Sequence, residues 1–391
     1  MIHSSRLRLL GENAVPSPIS IIIVHYNHNE VLPYCLDSII LQDIRDIDVI
    51  IIDDCSDNNP LPIIEDYRQR GLCINYIQNE KKLFPKDSRI KGIEAAKSDI
   101  VTFIDADDWI YGKYSLNILI NRMKNENIDI LHFSTYEVDI DGNTRTRDFS
   151  KPYAKYLYGD ECFSFYCQNS LPGHNVCGKL FSRRVLEKSL PICKKITPHR
   201  YSEDLFLYTI FIFHANVYLG MNVHVYAYRT PAAPLQYHAQ KGMGRIVTLY
   251  TMNKYLVPYF SEYGCSQENI KLLEHYLSVF YLENIKNYCA YIRNEHKYDN
   301  KIYMRELLQY CPSDKYLEAL LFFYQQIDTD KKNVYELEKN YSKLCLQRDA
   351  LKTKYSYLKW RTKYVVKFLD IYISIEKRIR QCISRKRKNN S

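Results

Sequence analysis

Three carboxylates stand within four residues, at Asp105, Asp107 and Asp108, directly behind the β-branched run 100–104. Carboxylates this close repel one another, and burying one without a partner is costly. A divalent cation relieves both costs, because hard cations prefer oxygen ligands. Asp105 and Asp107, spaced as Asp-x-Asp at a strand end, could hold one such ion and leave positions for a diphosphate and water. The pattern therefore predicts a metal site that neutralises a departing nucleotide diphosphate.

The glycine-rich motifs that bind phosphate are missing from the sequence. No GxGxxG follows the first predicted strand, and no GxxxxGK[ST] occurs anywhere in the chain. These motifs bind phosphate through backbone amides and a helix N-terminus. Without them, a metal held by carboxylates is the favoured way to bind a diphosphate.

Short apolar runs alternate with helical patterns in the first hundred residues. The predicted strands are 19–24, 47–52, 72–78 and 99–104, and the helices between them are at about 32–40, 60–70 and 87–97. This alternation predicts an α/β fold with a parallel sheet covered on both faces. Ligands of such sheets bind beyond the carboxyl ends of the strands. Those ends carry Tyr26 and Asn27, then Asp53 and Asp54, then the acidic cluster, so three polar loops are predicted to converge.

The pattern is less regular beyond residue 113. It predicts a helix, a strand over 129–139 with a turn at 141–142, and an irregular segment over 150–200 whose patterned part is GHNVCGKLFSRRVLEK, residues 173–188. A helix is predicted to begin near Ser202, with Glu203 and Asp204 in its favourable first turn, and a strand to span 223–229. Residues 244–330 read as a small all-α section. His25 and His28 flank the first polar loop and are predicted to be solvated.

Composition limits the class of protein. The chain has 391 residues, enough for two or three domains, and no 18-residue apolar span that would predict a transmembrane helix. Its 12 cysteines include no CxxC pair, which favours reduced thiols in a cytoplasmic protein over disulfides or structural zinc. The net charge of +9 is carried by residues 359–391, where eleven Lys and Arg face two acidic residues. The rest of the chain is therefore neutral overall.

The C-terminal region combines a heptad-like repeat with this basic tail. Apolar residues recur at alternating spacings of three and four over 334–358, with only Arg348 interrupting the series. The repeat predicts either a coiled coil that forms a homodimer or a helix packed on the protein itself. The tail interleaves aromatic and aliphatic residues with Lys and Arg, which favours an anionic membrane surface over nucleic acid. A solvated helix end is the remaining alternative.

Six segments in order carry a family resemblance. ISIIIVHYN, DVIIIDDCSDN, SRIKGIEAAKSDIVTFIDADDW, KLFSRRVLE, SEDLFLY and VYAYR together resemble an inverting family 2 glycosyltransferase of GT-A fold, of the type that builds bacterial surface glycans. The resemblance spans residues 18–230. It implies a Rossmann-like nucleotide-diphospho-sugar transferase domain, followed here by the all-α section and a C-terminal coiled-coil and amphipathic helix.

The resemblance also implies roles for individual residues. Tyr26 would stack on the donor's base, Asp53 and Asp54 would bind the uracil edge, and Arg89 would lie near the nucleotide or its phosphates. The implied donor-binding set is Tyr26, Asn27, Asp53, Asp54, Arg89, Asp105 and Asp108. Asp105 and Asp107 would bind Mn²⁺ or Mg²⁺, with His238 as a further metal ligand. Asp204, beside Glu203, would take the proton of the acceptor hydroxyl. Lys179 fits a lysine frequent in the family, without an assigned role.

The sequence thus predicts an enzyme that moves a sugar from a UDP-sugar to a hydroxyl of a lipooligosaccharide, capsule or lipid-linked chain. It would be cytoplasmic and held at the inner face of the membrane by its tail, and it would not bind nucleic acid. The predicted domains are an N-terminal extension (1–17), the GT-A domain (18–240), a helical domain (241–330) and the coiled-coil and tail region (331–391). The alternative is a non-catalytic tethering or assembly protein in which the coiled coil is the functional part.

Overall fold

The computed structural model describes residues 17–139, 143–169, 173–196, 202–230 and 235–294, without the side chains of 145–149, 235–241, 243 and 286–294. Its strands are β1 (Ser20–His25), β2 (Asp48–Asp53), β3 (Cys73–Gln78), β4 (Ile100–Asp105), β5 (Trp109–Ile110), β6 (Ile130–Val138), β7 (Thr144–Ser150), β8 (Tyr156–Tyr158), β9 (Lys179–Ser182) and β10 (Val217–Arg229). Its helices are α1 (Leu32–Ile40), α2 (Leu61–Gln69), α3 (Phe84–Ala95), α4 (Ser115–Asn125), α5 (Asp160–Asn169), α6 (Arg183–Lys195), α7 (Glu203–Phe213), α8 (Leu235–Glu262) and α9 (Gln267–Asn294).

The strands form one mixed sheet in the order β3-β2-β1-β4-β9-β6-β10-β5, with β7 paired to β6 and β8 to β10. The first four strands in this order are mutually parallel, as the alternating sequence pattern predicts. β1 and β2 consist almost wholly of buried Ile and Val, as expected of strands covered on both faces. The α/β class and the first four strands are therefore confirmed.

The second half of the sheet, for which the sequence pattern gave no strand directions, is mixed. β9 lies between β4 and β6 and is antiparallel to both, and only β6 and β10 restore a parallel pair. The prediction of irregular structure is wrong before residue 173, where β8 and α5 lie, whereas β9 and the first part of α6 fall in the segment predicted to be patterned. β8 and β9 have three and four residues, too few to show a clear alternation.

Helix α3 lies unusually close to β1. A Cβ added to Gly92 would come within 2.3 Å of Ile22 Cγ2, so only glycine allows this approach. The helix begins at Phe84, three residues before the predicted start, and Phe84 itself has a positive φ of 67°. The close packing fixes α3 against the sheet and thereby positions Arg89, one turn before Gly92.

Helices α8 and α9 add to the same hydrophobic core as the sheet. α9 packs on α5, α8 contacts α7, and the Tyr276 hydroxyl donates to the Tyr166 hydroxyl at 3.0 Å. Among the described helices, none is long and apolar enough to cross a membrane. The turn predicted at 141–142, the segment 1–16, residues 295–330, the heptad repeat and the basic tail lie outside the described residues.

Candidate active site

The three polar loops predicted to converge do lie at one sheet edge. His25 pairs with Asp53 between β1 and β2, and Val24 pairs with Asp105 between β1 and β4. The strands are parallel and in close register, so their carboxyl ends stand side by side. The loops carrying Tyr26, Asp54 and the acidic cluster therefore emerge as neighbours.

Arg89 is the centre of this edge. Its side chain is buried, with 3% exposed, and its guanidinium reaches three carboxylates. Nη2 lies 2.9 Å from Asp105 Oδ1, while Nη1 lies 2.9 Å from Asp204 Oδ1 and 3.3 Å from Glu203 Oε1. The forked geometry of arginine suits such divided pairing. Two acidic motifs that are about a hundred residues apart in sequence are thus held by one cation.

Glu203 and Asp204 lie in the first turn of α7, where the helix dipole favours negative charge. Ser202 before them adopts a left-handed conformation with φ 66° and offers no side-chain cap. Burial raises the pKa of Glu203 to about 7, and the charge of Asp204 adds to this effect. Burial also raises the pKa of Asp204, while the charge of Arg89 opposes the rise. A carboxylate whose pKa lies closer to neutrality is a better proton acceptor.

The acidic cluster divides into two kinds of carboxylate. Asp105 and Asp107 are partly exposed, and burial together with the charge of Asp105 raises the pKa of Asp107. Asp108 is buried and is held by the chain itself, because it accepts the Tyr226 hydroxyl at 2.6 Å and the Arg229 backbone N–H at 2.8 Å. The Tyr226 hydroxyl also accepts the backbone N–H of Asp105 at 3.1 Å. β10 therefore fixes the cluster from one side.

Asp105 and Asp107 provide a donor set that fits a hard divalent cation. Their oxygens are the right ligands, and their mutual repulsion is what a cation would relieve. Within the described residues, no group of three His, Cys, Asp or Glu side chains is arranged to hold a metal. Two carboxylates are nevertheless enough for Mg²⁺, which commonly takes its remaining ligands from substrate phosphates and water. His238 lies in α8, but its side chain is outside the described residues.

Asp53 and His25 form a buried pair beneath the site. His25 Nδ1 lies 3.2 Å from Asp53 Oδ1, and the Tyr76 hydroxyl donates to Asp53 Oδ2 at 3.0 Å. Both His25 and Asp53 have no exposed side-chain surface. The prediction that His25 is solvated is therefore wrong, because its ring turns inward from the end of β1. Burial lowers the pKa of His25, which favours the neutral ring.

Asp54 organises the loop that leads into α3. Its carboxylate accepts the backbone N–H groups of Leu83 at 2.7 Å and Phe84 at 2.9 Å. The side chains of Asn79 and Ser88 donate to the same carboxylate. Four donors from the chain thus occupy Asp54, which is 2% exposed. The start of α3, and with it Arg89, depends on this carboxylate.

Tyr26 and Asn27 lie on the outer side of this loop. The Lys82 ammonium stands 3.2 Å from the centroid of the Tyr26 ring, a cation–π contact on one ring face. Asn27 has a φ of 56° and exchanges hydrogen bonds with Asp57, its Nδ2 donating at 2.8 Å and its Oδ1 accepting at 2.8 Å. The left-handed backbone at Asn27 turns the chain out of β1 and presents the Tyr26 ring at the edge.

Sequence reasoning missed two residues that the structure places beside the candidate site. Tyr226 was not singled out in the sequence. The alternation in VYAYR places Tyr226 and Tyr228 on one face of the strand and Val225 on the opposite face. Lys179 was noted without a role, and it is buried behind α7. A buried lysine on a short strand could have been identified only if β9 had been predicted.

Comparison with known proteins agrees with the geometry. The family model described as Glycosyl transferase family 2 matches residues 20–190. The amylovoran biosynthesis glycosyltransferase AmsB of Erwinia amylovora is 34% identical over 157 residues, which are 37% of this chain and 52% of AmsB. The putative glycosyltransferase EpsH of Bacillus subtilis is 27% identical over 267 residues, which are 66% of this chain and 71% of EpsH. The match to AmsB thus spans about half of that relative.

A solved structure of S. aureus TarS 1-349 in complex with UDP-GlcNAc superposes with a TM-score of 0.47 at 16% identity, covering 83% of this chain and 91% of that one. The family match includes β1 to β4, the acidic cluster and Lys179. Residues 20–190 of the chain are thus similar to glycosyltransferase family 2.

Proposed function

We propose that the protein transfers a sugar, with inversion, from a UDP-sugar to a hydroxyl of a growing surface glycan. The observation that carries the proposal is that Asp105 and Asp204 both contact the guanidinium of Arg89, each at 2.9 Å. One motif suits the diphosphate end of a donor, and the other supplies a proton acceptor close by. A family 2 domain with both motifs joined in this way has the groups needed for glycosyl transfer.

Asp204 is the proposed base. In the reaction, its carboxylate takes the proton of the acceptor hydroxyl while the hydroxyl oxygen attacks the anomeric carbon. The bond from that carbon to the diphosphate oxygen breaks, and attack from the opposite face inverts the configuration. The raised pKa of Asp204 makes it more basic than an ordinary aspartate. Glu203 shares the same guanidinium, 3.3 Å from Arg89 Nη1.

Asp105 and Asp107 are the proposed ligands of Mn²⁺ or Mg²⁺. When bound, the ion would neutralise negative charge on the departing diphosphate. Arg89 holds one oxygen of Asp105 and so orients this carboxylate toward the open side. Asp108, fixed by Tyr226 and Arg229, supports the turn that carries both ligands.

The donor's base is proposed to lie against Tyr26, beside the loop that Asp54 holds. Resemblance to the family assigns Tyr26 to stacking and the Asp53–Asp54 pair to the uracil edge. The contacts of Asp54 support a part in shaping this subsite through Leu83 and Phe84. Surface-glycan acceptors, lipid-linked or not, and a membrane-bound tail follow from the sequence alone and belong to the same proposal.

The test is nucleotide release from a panel of UDP-, GDP- and CDP-sugars, each with Mn²⁺ or with EDTA. We expect release from a UDP-sugar, its loss in EDTA, and its loss in Asp107→Ala but not in Asp66→Ala, an exposed aspartate of α2. If the protein binds none of these donors and releases nucleotide from none of them, the proposal is overturned and the tethering alternative is favoured.

A further inference from the structure

Lys179 is a buried cation that the proposed reaction does not yet use. Its side chain has no exposed surface, and its ammonium donates to the backbone carbonyl of Asn175. The ammonium also lies 4.6 Å from the centroid of the Tyr208 ring. Lysine is almost never fully buried without a partner of opposite charge. The Asn175 carbonyl and the Tyr208 ring are not charged, so neither of them is such a partner.

The position of Tyr208 identifies the missing partner. Tyr208 follows Asp204 by four residues in α7, so the two side chains lie on one helix face. Lys179 of β9 therefore lies against the face of α7 that also carries Asp204.

Two histidines and a thiol near Lys179 favour their neutral forms. His174 precedes it in the same loop, and burial followed by the lysine's charge lowers the pKa of His174 to about 4. His132 on β6 is affected in the same way, with a pKa well below its usual range. Burial raises the pKa of the Cys177 thiol well above its ordinary value. On α8, the nearest charge is Arg245, which faces His174. Asp204 is thus the anion available to Lys179.

The two groups influence each other in the expected directions. Burial lowers the pKa of Lys179 to about 7, and the charge of Asp204 opposes this fall. In turn the charge of Lys179 counters the rise that burial causes in the pKa of Asp204, after the contributions of Arg89 and Asp105. Lys179 and Arg89 therefore both favour the ionised form of Asp204, and Arg89 does so in direct contact, 2.9 Å from Asp204 Oδ1.

We propose that Lys179 is a positioning residue that keeps the Asp204 carboxylate ionised and aligned for proton transfer. The inference rests on the proposed function, in which Asp204 is the base. It predicts that activity depends on the charge of Lys179 and not only on its bulk or its hydrogen bond to Asn175. Substrate binding, which involves other residues, should be little affected.

Three variants separate these contributions. Lys179→Gln keeps a donor for Asn175 without the charge, Lys179→Met removes both, and Lys179→Arg keeps the charge. Lys86→Met is the matched control, because Lys86 is also buried, donates to the backbone carbonyls of Cys193 and Ile196 at 3.0 Å each, and has its own carboxylate partner in Asp87 at 2.7 Å. Circular dichroism and urea unfolding establish that each variant is folded before it is assayed.

The readout is the pH profile of kcat/KM for nucleotide release, whose acid limb reports the free enzyme's base. We expect the limb to move up by about 1 pH unit in Lys179→Gln and Lys179→Met, as for loss of a nearby opposite charge. We expect the donor KM to change less than about twofold, because Lys179 acts on the base Asp204 and not on donor binding, so its loss should lower kcat. Lys179→Arg and Lys86→Met should keep the wild-type limb. An unmoved limb in the folded neutral variants would overturn the proposal.

A second readout does not need turnover. NMR of the protein with labelled aspartate follows the carboxyl carbon of Asp204, whose signal is assigned by its loss in Asp204→Asn. This carbon should titrate at higher pH in Lys179→Gln than in wild type. An unchanged midpoint would overturn the link between Lys179 and Asp204. If the wild type releases no nucleotide from any donor, the proposed function fails, and this titration still decides whether the two residues are coupled.

Discussion

Nη1 of Arg89 lies 2.9 Å from Oδ1 of Asp204, and the same guanidinium reaches Asp105 at 2.9 Å. A residue of α3 thereby ties the first turn of α7 to the end of β4. The contact depends on Gly92, which lets α3 approach β1, and on Asp54, which fixes the loop before the helix. The candidate site is therefore held from the sheet side and not by its loops alone.

Replacing Arg89 with methionine should destabilise the protein strongly. The change leaves three carboxylates near one another without their buried cation, and breaking a buried ion pair in this way costs about 3–5 kcal/mol. Urea unfolding measures the loss. Arg183→Met is the control, because Arg183 makes only an exposed pair with Glu187, and such pairs contribute about 0.3–0.5 kcal/mol. Equal losses in the two variants would contradict the central place of Arg89.

Tyr226→Phe should weaken the acidic cluster without changing its charge. The variant removes the hydroxyl that joins Asp108 to the backbone of Asp105 and leaves a buried carboxylate with one donor fewer. We expect a loss of about 1–3 kcal/mol in the free energy of unfolding, together with weaker metal-dependent nucleotide release. Tyr158→Phe, at a site 58% exposed, should change neither quantity. Wild-type behaviour of Tyr226→Phe would show that the cluster is fixed by other contacts.

Asp54→Asn should loosen the start of α3. The amide NH₂ cannot accept the hydrogen bonds that one carboxylate oxygen now accepts, so the N–H groups of Leu83 and Phe84 lose a charged acceptor. Loss of such a bond, worth about 1.5 kcal/mol or more, predicts roughly tenfold faster amide exchange at these two residues. Hydrogen exchange with residue resolution measures it. Asp57→Asn, in the exposed Asn27 loop, is the control, and unchanged exchange in Asp54→Asn would refute the assigned role.

Glu203 should make stability fall as pH rises toward neutrality. Its pKa in the folded protein is about 7 against an ordinary value of 4.5, so between these values the folded state binds more protons than the unfolded chain. The free energy of unfolding then decreases with pH across that window. Glu203→Gln removes this titrating group, so the stability of the variant should fall less between pH 5 and 7 than the stability of wild type. Urea unfolding at about five pH values measures the stability of both proteins. Glu187→Gln, on the exposed surface, should keep the wild-type slope. Equal slopes in all three proteins would contradict the shift.

The sequence was sufficient for the parts of the fold that depend on local pattern. β1, β2 and β4 contain runs of apolar, mostly β-branched residues. Parallel strands place their carboxyl ends together, so the convergence of the loops at Tyr26, Asp53 and Asp105 followed directly. The start of α7 was also predictable, because Glu203 and Asp204 precede a long apolar run.

The parts that failed depend on contacts between distant residues. β9 has four residues and is a strand only because β4 and β6 flank it, so no local signal marked it. The burial of His25 follows from its pairing with Asp53 across two strands. The pairing of Arg89 with three carboxylates likewise depends on the close packing of α3 on β1. Gly92 permits this packing, but a single glycine in the sequence does not predict it. The predicted domain limits, the coiled coil and the membrane-binding tail stay predictions.

The most direct test of the account is the rate of nucleotide release by Asp204→Asn. Asp160→Asn is the matched control, since Asp160 also stands in the first turn of a helix, α5, but outside the candidate site. If Asp204 is the base, its variant should bind the donor as wild type does and release nucleotide about 10²-fold more slowly or worse, while Asp160→Asn stays at the wild-type rate. Release by Asp204→Asn within twofold of wild type would show that Asp204 is an ordinary helix-capping acid, and the proposed mechanism would be wrong.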